Sequence, residues 1–258
     1  MKAYEIIDII EKTAPLGLSY SWDNSGLLVG DKDKEVKKVY LTLDVNMYTV
    51  DEAVSVGADM IISHHPIMFG GIKKIDYSSP QGYVIKQLIL NDITLYASHI
   101  PTDTAKGGIN DVLAEKLNLR DIKIIEPSEG YPGCGLGRVG FTEKTISLDE
   151  FAQRVKSVLN TPFVRVIGNG DIKINCVAVG GGACDDLIPK AKAMGADVML
   201  TADMKYHISM DSAESGIAVV DAGHFPTEVF VVEIFEKLLK GTDIEIIKST
   251  ERDVFRVV

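Results

Sequence analysis

Two hydrophobic periods alternate along the chain. The opening "MKAYEIIDIIEKTAP" interleaves isoleucines with charges at helical spacing, which predicts an amphipathic helix. Short apolar runs follow: "KVYLTLDV", "DMIIS" and "ITLYA" in the first half, "INCVAVGG", "DVMLT" and "IAVVDA" in the second. Their length and lack of polar alternation predict buried strands. Between them, "TVDEAVSVG" and "DDLIPKAKAMG" carry helical spacing and stop at Gly57 and Gly195, where glycine suits a helix C-terminus. A further helix is predicted over Pro80–Leu90, whereas the second half has only the shorter connection "KYHISMDSAESG". Ser147 and Glu150 form a capping box ahead of "LDEFAQRVKSVL". Strand, helix, strand is the parallel unit of an α/β fold.

The pattern repeats. A shift of 138 residues lays Gly26–Val45 on Val164–Ala183 and "VGADMIIS" from Val56 on "MGADVMLT" from Met194, so one register holds over positions 26–63. A shift of 125 then lays "SHIPTD" (Ser98–Asp103) on "GHFPTE" (Gly223–Glu228). Ordered matches in similar contexts predict an internal duplication. The expected architecture is two related three-layer α/β lobes, residues 1–126 and 127–258, meeting near the Gly/Pro-rich "EPSEGYPGCGLG", with the C-terminal segment packing on the first lobe.

Bulk composition narrows the function. A length of 258 residues, 46% hydrophobic and 25% charged, describes a folded chain with a substantial core. A net charge of −10 without a basic run argues against nucleic-acid binding. Three cysteines without a C-x-x-C pair point away from a disulfide framework or cysteine zinc site and towards the cytoplasm. No stretch reads as a signal peptide or membrane span.

The candidate chemistry collects at predicted strand ends, where sheets of this kind bind ligands. His64 and His65 follow "DMIIS", His99 and Asp103 follow "ITLYA", and His224 and Glu228 follow "IAVVDA". Pro226 reads as a first helical residue that sets Glu228 in the first turn and His224 just outside it, and Asp103 after Pro101 repeats this. Imidazole and carboxylate together suit a borderline divalent ion such as zinc, iron or manganese, and five such ligands exceed what one tetrahedral ion takes, which favours two ions. Taken singly, a His-His pair is commonly incidental and a first-turn carboxylate serves the helix dipole. The joint placement of four of the five histidines favours metal. Ala202 and Asp203 occupy the repeat positions of His64 and His65, so one site assembled from both halves is expected rather than two.

Together "SWDNSGLLVG", "ISHHPIMFGGIK", "SHIPTDTAKGGINDVLAEKL", "GGGACDDL", "KYH" and "GHFPTE" resemble the Ngg-interacting-factor-three-like proteins, often labelled GTP cyclohydrolase I type 2 homologues. The resemblance spans nearly the whole chain. It implies a dinuclear metal centre in the cleft between two lobes, commonly a homohexamer ring, and ligands at His64, His65, Asp103, His224 and Glu228. His99 and His207 become partners of those ligands or substrate-facing proton carriers, with a structural role equally open. Ala202 departs from the glycine common in relatives, and the inserted domain of longer members is absent.

The reading that follows is a dinuclear metal-binding protein, a metal-dependent hydrolase acting on GTP or another nucleotide. A metal-binding chaperone or scaffold without turnover is the alternative. Among weaker features, "VGGGACDD" reads as a tight turn more than a phosphate loop, Lys205 as a cation near the site, and Trp22-Asp23-Asn24 either as a cleft lining or as a turn with Trp22 in the core.

Overall fold

The structure, a computed structural model, describes all residues from Met1 to Val258. In chain order the first elements are α1 (Ala3–Glu11), β1 (Gly26–Val29), β2 (Lys38–Thr42), α2 (Met47–Ser55), β3 (Met60–Ser63), α3 (Pro80–Leu90), β4 (Thr94–Ala97) and α4 (Ile100–Thr104). Then come α5 (Ile109–Lys116), β5 (Arg120–Pro127), β6 (Gly135–Ser147), α6 (Leu148–Val158), β7 (Arg165–Ile167), β8 (Lys173–Val179), α7 (Ile188–Ala193) and β9 (Val198–Thr201). The chain finishes with α8 (Tyr206–Ser215), β10 (Ala218–Asp221), α9 (His224–Glu228), α10 (Val231–Leu239) and β11 (Glu245–Lys248). It divides into two compact units: Met1–Ala105 with Val229–Arg252, and Lys106–Glu228 with Asp253–Val258. No helix is long and apolar enough to cross a membrane.

The first unit holds a five-stranded sheet in the order β1-β4-β3-β2-β11, parallel except for β1. Tyr40, Ile61 and Leu95 share one face and pack with Val50 and Ala53 of α2 and Val84 and Leu88 of α3. Tyr96, which alternates to the other face, donates to Glu11 Oε1 of α1 at 3.1 Å. α1 and α10 pack together there, and α10 lies on β2. The C-terminal strand is therefore an integral edge of the first sheet.

In the second unit the order is β5-β6-β8-β9-β10-β7, with β8, β9 and β10 parallel and the rest antiparallel. Val139, Ala178, Met199 and Val219 form a core with Leu187, Ile188 and Ala191 around α7, while α5 and α6 pack on β6 and β8. The Ser147–Glu150 capping box is present, at 3.2 and 2.8 Å.

Two local arrangements recur in the two units. Asp59 Oδ2 accepts from the backbone N–H groups of Lys37 and Lys38 at 2.8 and 2.9 Å, and Asp197 Oδ2 accepts from Asn175 and Cys176, both at 2.8 Å. Gly57 and Gly195 end the helices before β3 and β9 with φ of +68° and +87°.

Three local features differ from the sequence reading. "KYHISMDSAESG" is not a plain connection but contains helix α8. "EPSEGYPGCGLG" is the turn of the β5–β6 hairpin, closed by the Ser128 N–H to the Cys134 carbonyl at 3.0 Å. The helix expected to run on from Pro226 begins at His224 and breaks after Glu228.

Candidate metal centre

In the first unit the parallel strands β3 and β4 stop side by side, Ser63 paired with Ala97, and Ser98 N–H donates to the Ser63 carbonyl at 2.9 Å. His64 and His65 follow β3 and His99 follows β4, so three imidazoles share one end of the sheet. Their ring centroids lie 4.8, 5.1 and 5.4 Å apart, and one ring nitrogen from each lies within 4.8 Å of the others. The α4 turn starts at Ile100 and brings Asp103 Oδ1 to 3.6 Å from His64 Nε2, with both side chains buried.

Each ring is oriented through Nδ1. The Nδ1 of His64 donates to the Ser98 carbonyl at 3.0 Å, that of His65 to Asp44 Oδ1 at 2.8 Å, and that of His99 to Asp23 Oδ1 at 2.9 Å. A neutral imidazole that donates through Nδ1 presents a lone pair at Nε2, the form a metal ion takes. The supports are themselves tied down. Glu251 accepts from Thr42 Oγ1 and the Leu43 and Asp44 N–H groups at 2.8, 2.6 and 3.2 Å, fixing the loop that carries Asp44. Burial alone would raise the Asp23 carboxyl, but hydrogen bonds from His99 and Ser25 hold it below the ordinary carboxylate value.

In the second unit β10 ends at Asp221, and α9 places His224 and Glu228 one turn apart, His224 Nε2 lying 2.9 Å from Glu228 Oε2. Nδ1 of His224 donates to Asp203 Oδ2 at 2.7 Å. His224 Nε2 and the buried Glu228 carboxylate thus stand side by side, an imidazole–carboxylate pair of the kind that ligates a divalent ion. Gly182 makes room. Its φ is +62°, its N–H donates to Thr227 Oγ1 at 3.1 Å, and a Cβ there would overlap Glu228 Oε1 and stand 3.1 Å from His224 Nε2.

The donor chemistry fits a divalent ion in both units. Two donors about 2.1 Å from one tetrahedral ion stand about 3.4 Å apart, close to the His64–Asp103 separation of 3.6 Å. Imidazole with carboxylate suits zinc, iron or manganese.

Of the residues read from sequence, His64, His65, His99 and Asp103 come together in the first unit, and His224 with Glu228 in the second. His207 sits on the exposed first turn of α8, its ring edge-on to Tyr206 at 5.4 Å, and Lys205 caps that helix in the open. Trp22 is not core: it is 53% exposed and edge-on to His99 at 5.9 Å. Sequence reasoning missed Asp44, Glu251 and the roles of Asp203 and Gly182. Asp44 had a signal as an acid at the end of β2, and Asp203 as the repeat counterpart of His65.

An α/β protein with oriented imidazole and carboxylate groups beyond its parallel strands falls in the class of candidate divalent-metal binders. The chain belongs to the Duf34/NIF3 (NGG1p interacting factor 3) family, whose model matches residues 1–253. It is 36% identical over 262 residues to a Clostridium perfringens protein named GTP cyclohydrolase 1 type 2 homolog, with 100% of each chain covered. Among solved structures, a Bacillus cereus protein related to NIF3 matches with a TM-score of 0.93 at 27% identity, covering 100% of this chain and 99% of that one. Reduced HcgD from Methanocaldococcus jannaschii matches with a TM-score of 0.81 at 36% identity, covering 96% and 97%.

Proposed function

We propose that His64, His65, Asp103, His224 and Glu228 hold two divalent metal ions, and that the protein is a metal-dependent hydrolase. The observation that carries this reading is the shared orientation of the histidines, each fixed through Nδ1 by a carbonyl or carboxylate. Divalent ions so held supply Lewis-acid activation of water near neutral pH. His99, with Nδ1 donated to Asp23, accepts the proton at Nε2. His207 is the second candidate proton carrier. The relatives' name points to GTP or another nucleotide as substrate. The matched strand order and the paired Asp59 and Asp197 hydrogen bonds support descent of both units from one duplicated module, and we further propose assembly as a homohexamer.

The test is GTP turnover by protein loaded in turn with zinc, manganese and iron, with formate and the ring-opened product separated by chromatography, beside His65→Ala. Metal-dependent turnover lost in the variant is the expected result. No turnover by any form confirmed to contain metal removes GTP hydrolysis as the function and leaves the metal site standing.

A further inference from the structure

Beside the three histidines of the first unit lies a group of aromatic rings that the metal chemistry does not use. Trp22 and Phe69 come from two loops, and Asn24 Nδ2 ties those loops by donating to the Met68 carbonyl at 2.9 Å, across 44 positions of chain. Gln81 Nε2 holds the second loop again, donating to the Ile67 carbonyl at 2.9 Å. Both rings meet His99 edge-on, Trp22 at 5.9 Å and Phe69 at 5.6 Å, and Tyr20 backs Trp22 at 5.9 Å. Yet Trp22 stays 53% and Phe69 54% exposed. Large rings held in place beside candidate metal donors, with half their surface open, keep apolar area in water that a ligand would cover.

The spacing decides how a ligand fits. Two rings that sandwich a third must lie parallel to it, whereas Trp22 and Phe69 are tilted by 42° with centroids 6.4 Å apart. A ligand therefore stacks on the open face of one ring and meets the edge of the other, with His99 alongside. We propose that Trp22 and Phe69 form a stacking platform for a planar heteroaromatic ring, such as a nucleobase, and so position substrate against the histidine cluster. This rests on the reading of that cluster as a site acting on a small molecule.

Trp22 is the chain's only tryptophan, so its fluorescence reports on the platform directly. The metal-loaded protein is titrated with guanosine 5′-monophosphate and, separately, with ribose 5-phosphate, while Trp22 emission is followed. The nucleotide is expected to quench Trp22 saturably and ribose 5-phosphate is not. Binding measured by calorimetry is expected to weaken at least about fivefold in Phe69→Ala and in Trp22→Ala, with Trp22→Phe restoring most of it. Metal content should stay at the wild-type level in all three variants. Saturable quenching without GTP turnover would uphold the platform while removing GTP hydrolysis as the function. Unchanged emission in metal-replete protein overturns the platform and leaves the metal reading intact, as does equal quenching by ribose 5-phosphate. A change of oligomeric state in Trp22→Ala, without loss of nucleotide affinity, overturns it in favour of contact between copies.

Discussion

Gly182→Ala is the substitution on which the second-unit donors depend most directly. Gly182 is buried, with φ of +62°, and an added Cβ overlaps Glu228 Oε1, lies 3.0 Å from Glu228 Cδ and comes within 3.1 Å of His224 Nε2. Two costs follow. The left-handed backbone costs an alanine about 1–2 kcal/mol. Displacing a carboxylate that is 2% exposed adds about 1–3 kcal/mol for overpacking. Gly195 separates the two terms, since its φ is +87° but nothing lies within 4 Å of its Cβ position. Gly195→Ala should therefore lose only the backbone term and keep its metal. Gly182→Ala should lose about 2–5 kcal/mol in urea unfolding, as the sum of both terms. It should also lose metal by elemental analysis, because Glu228 cannot keep its place beside His224. Equal stability and equal metal content in the two variants would show that Gly182 is a turn residue and nothing more.

Three further outcomes are expected. Asp44→Ala and Asp203→Ala each remove the acceptor that orients a histidine, at 2.8 and 2.7 Å, and should weaken metal affinity about 10- to 100-fold in chelator competition, with asparagine recovering part of the loss. Asp59→Ala and Asp197→Ala each strand two backbone N–H groups and should destabilise by about 1–3 kcal/mol in denaturant titrations; a loss at only one position contradicts their equivalence. Burial would raise the Glu52 carboxyl, but hydrogen bonds from Thr250 and Tyr40 outweigh it and depress its pKa. A depressed folded value means that Glu52 contributes its full stability above the ordinary glutamate value of about 4.3 and loses it as pH falls through the lower folded value. Glu52→Gln should flatten that part of the acid-unfolding profile, and an unchanged profile would count against the tie between α2 and the Thr250 segment.

What the sequence made legible was local and periodic. Buried strands announce themselves as apolar runs, and a histidine directly after one is placed by the strand itself; hence the position of His64, His65, His99 and His224. Helix α8 gave no such signal because only Ser212 is buried along it, so it carries no apolar stripe. "EPSEGYPGCGLG" misled for another reason: glycine and proline mark a hairpin turn and a linker alike. The break between α9 and α10 falls where the chain leaves the second unit for the first, between Glu228 and Val229. Helical spacing on both sides hides it, since Val231, Ile234 and Phe235 bury in one core while Glu228 serves the other unit. The least legible residues are those that act through another. Glu251 reaches Asp44 across 207 positions of chain, and only that contact gives the acid its role in holding His65. A ligand that sits at a strand end can be found from its own neighbours in sequence, but the group that fixes its tautomer is chosen by the fold. The orienting acids therefore test the metal reading more sharply than the histidines do, because their removal spares every proposed ligand and takes away only the reason those ligands point where they do.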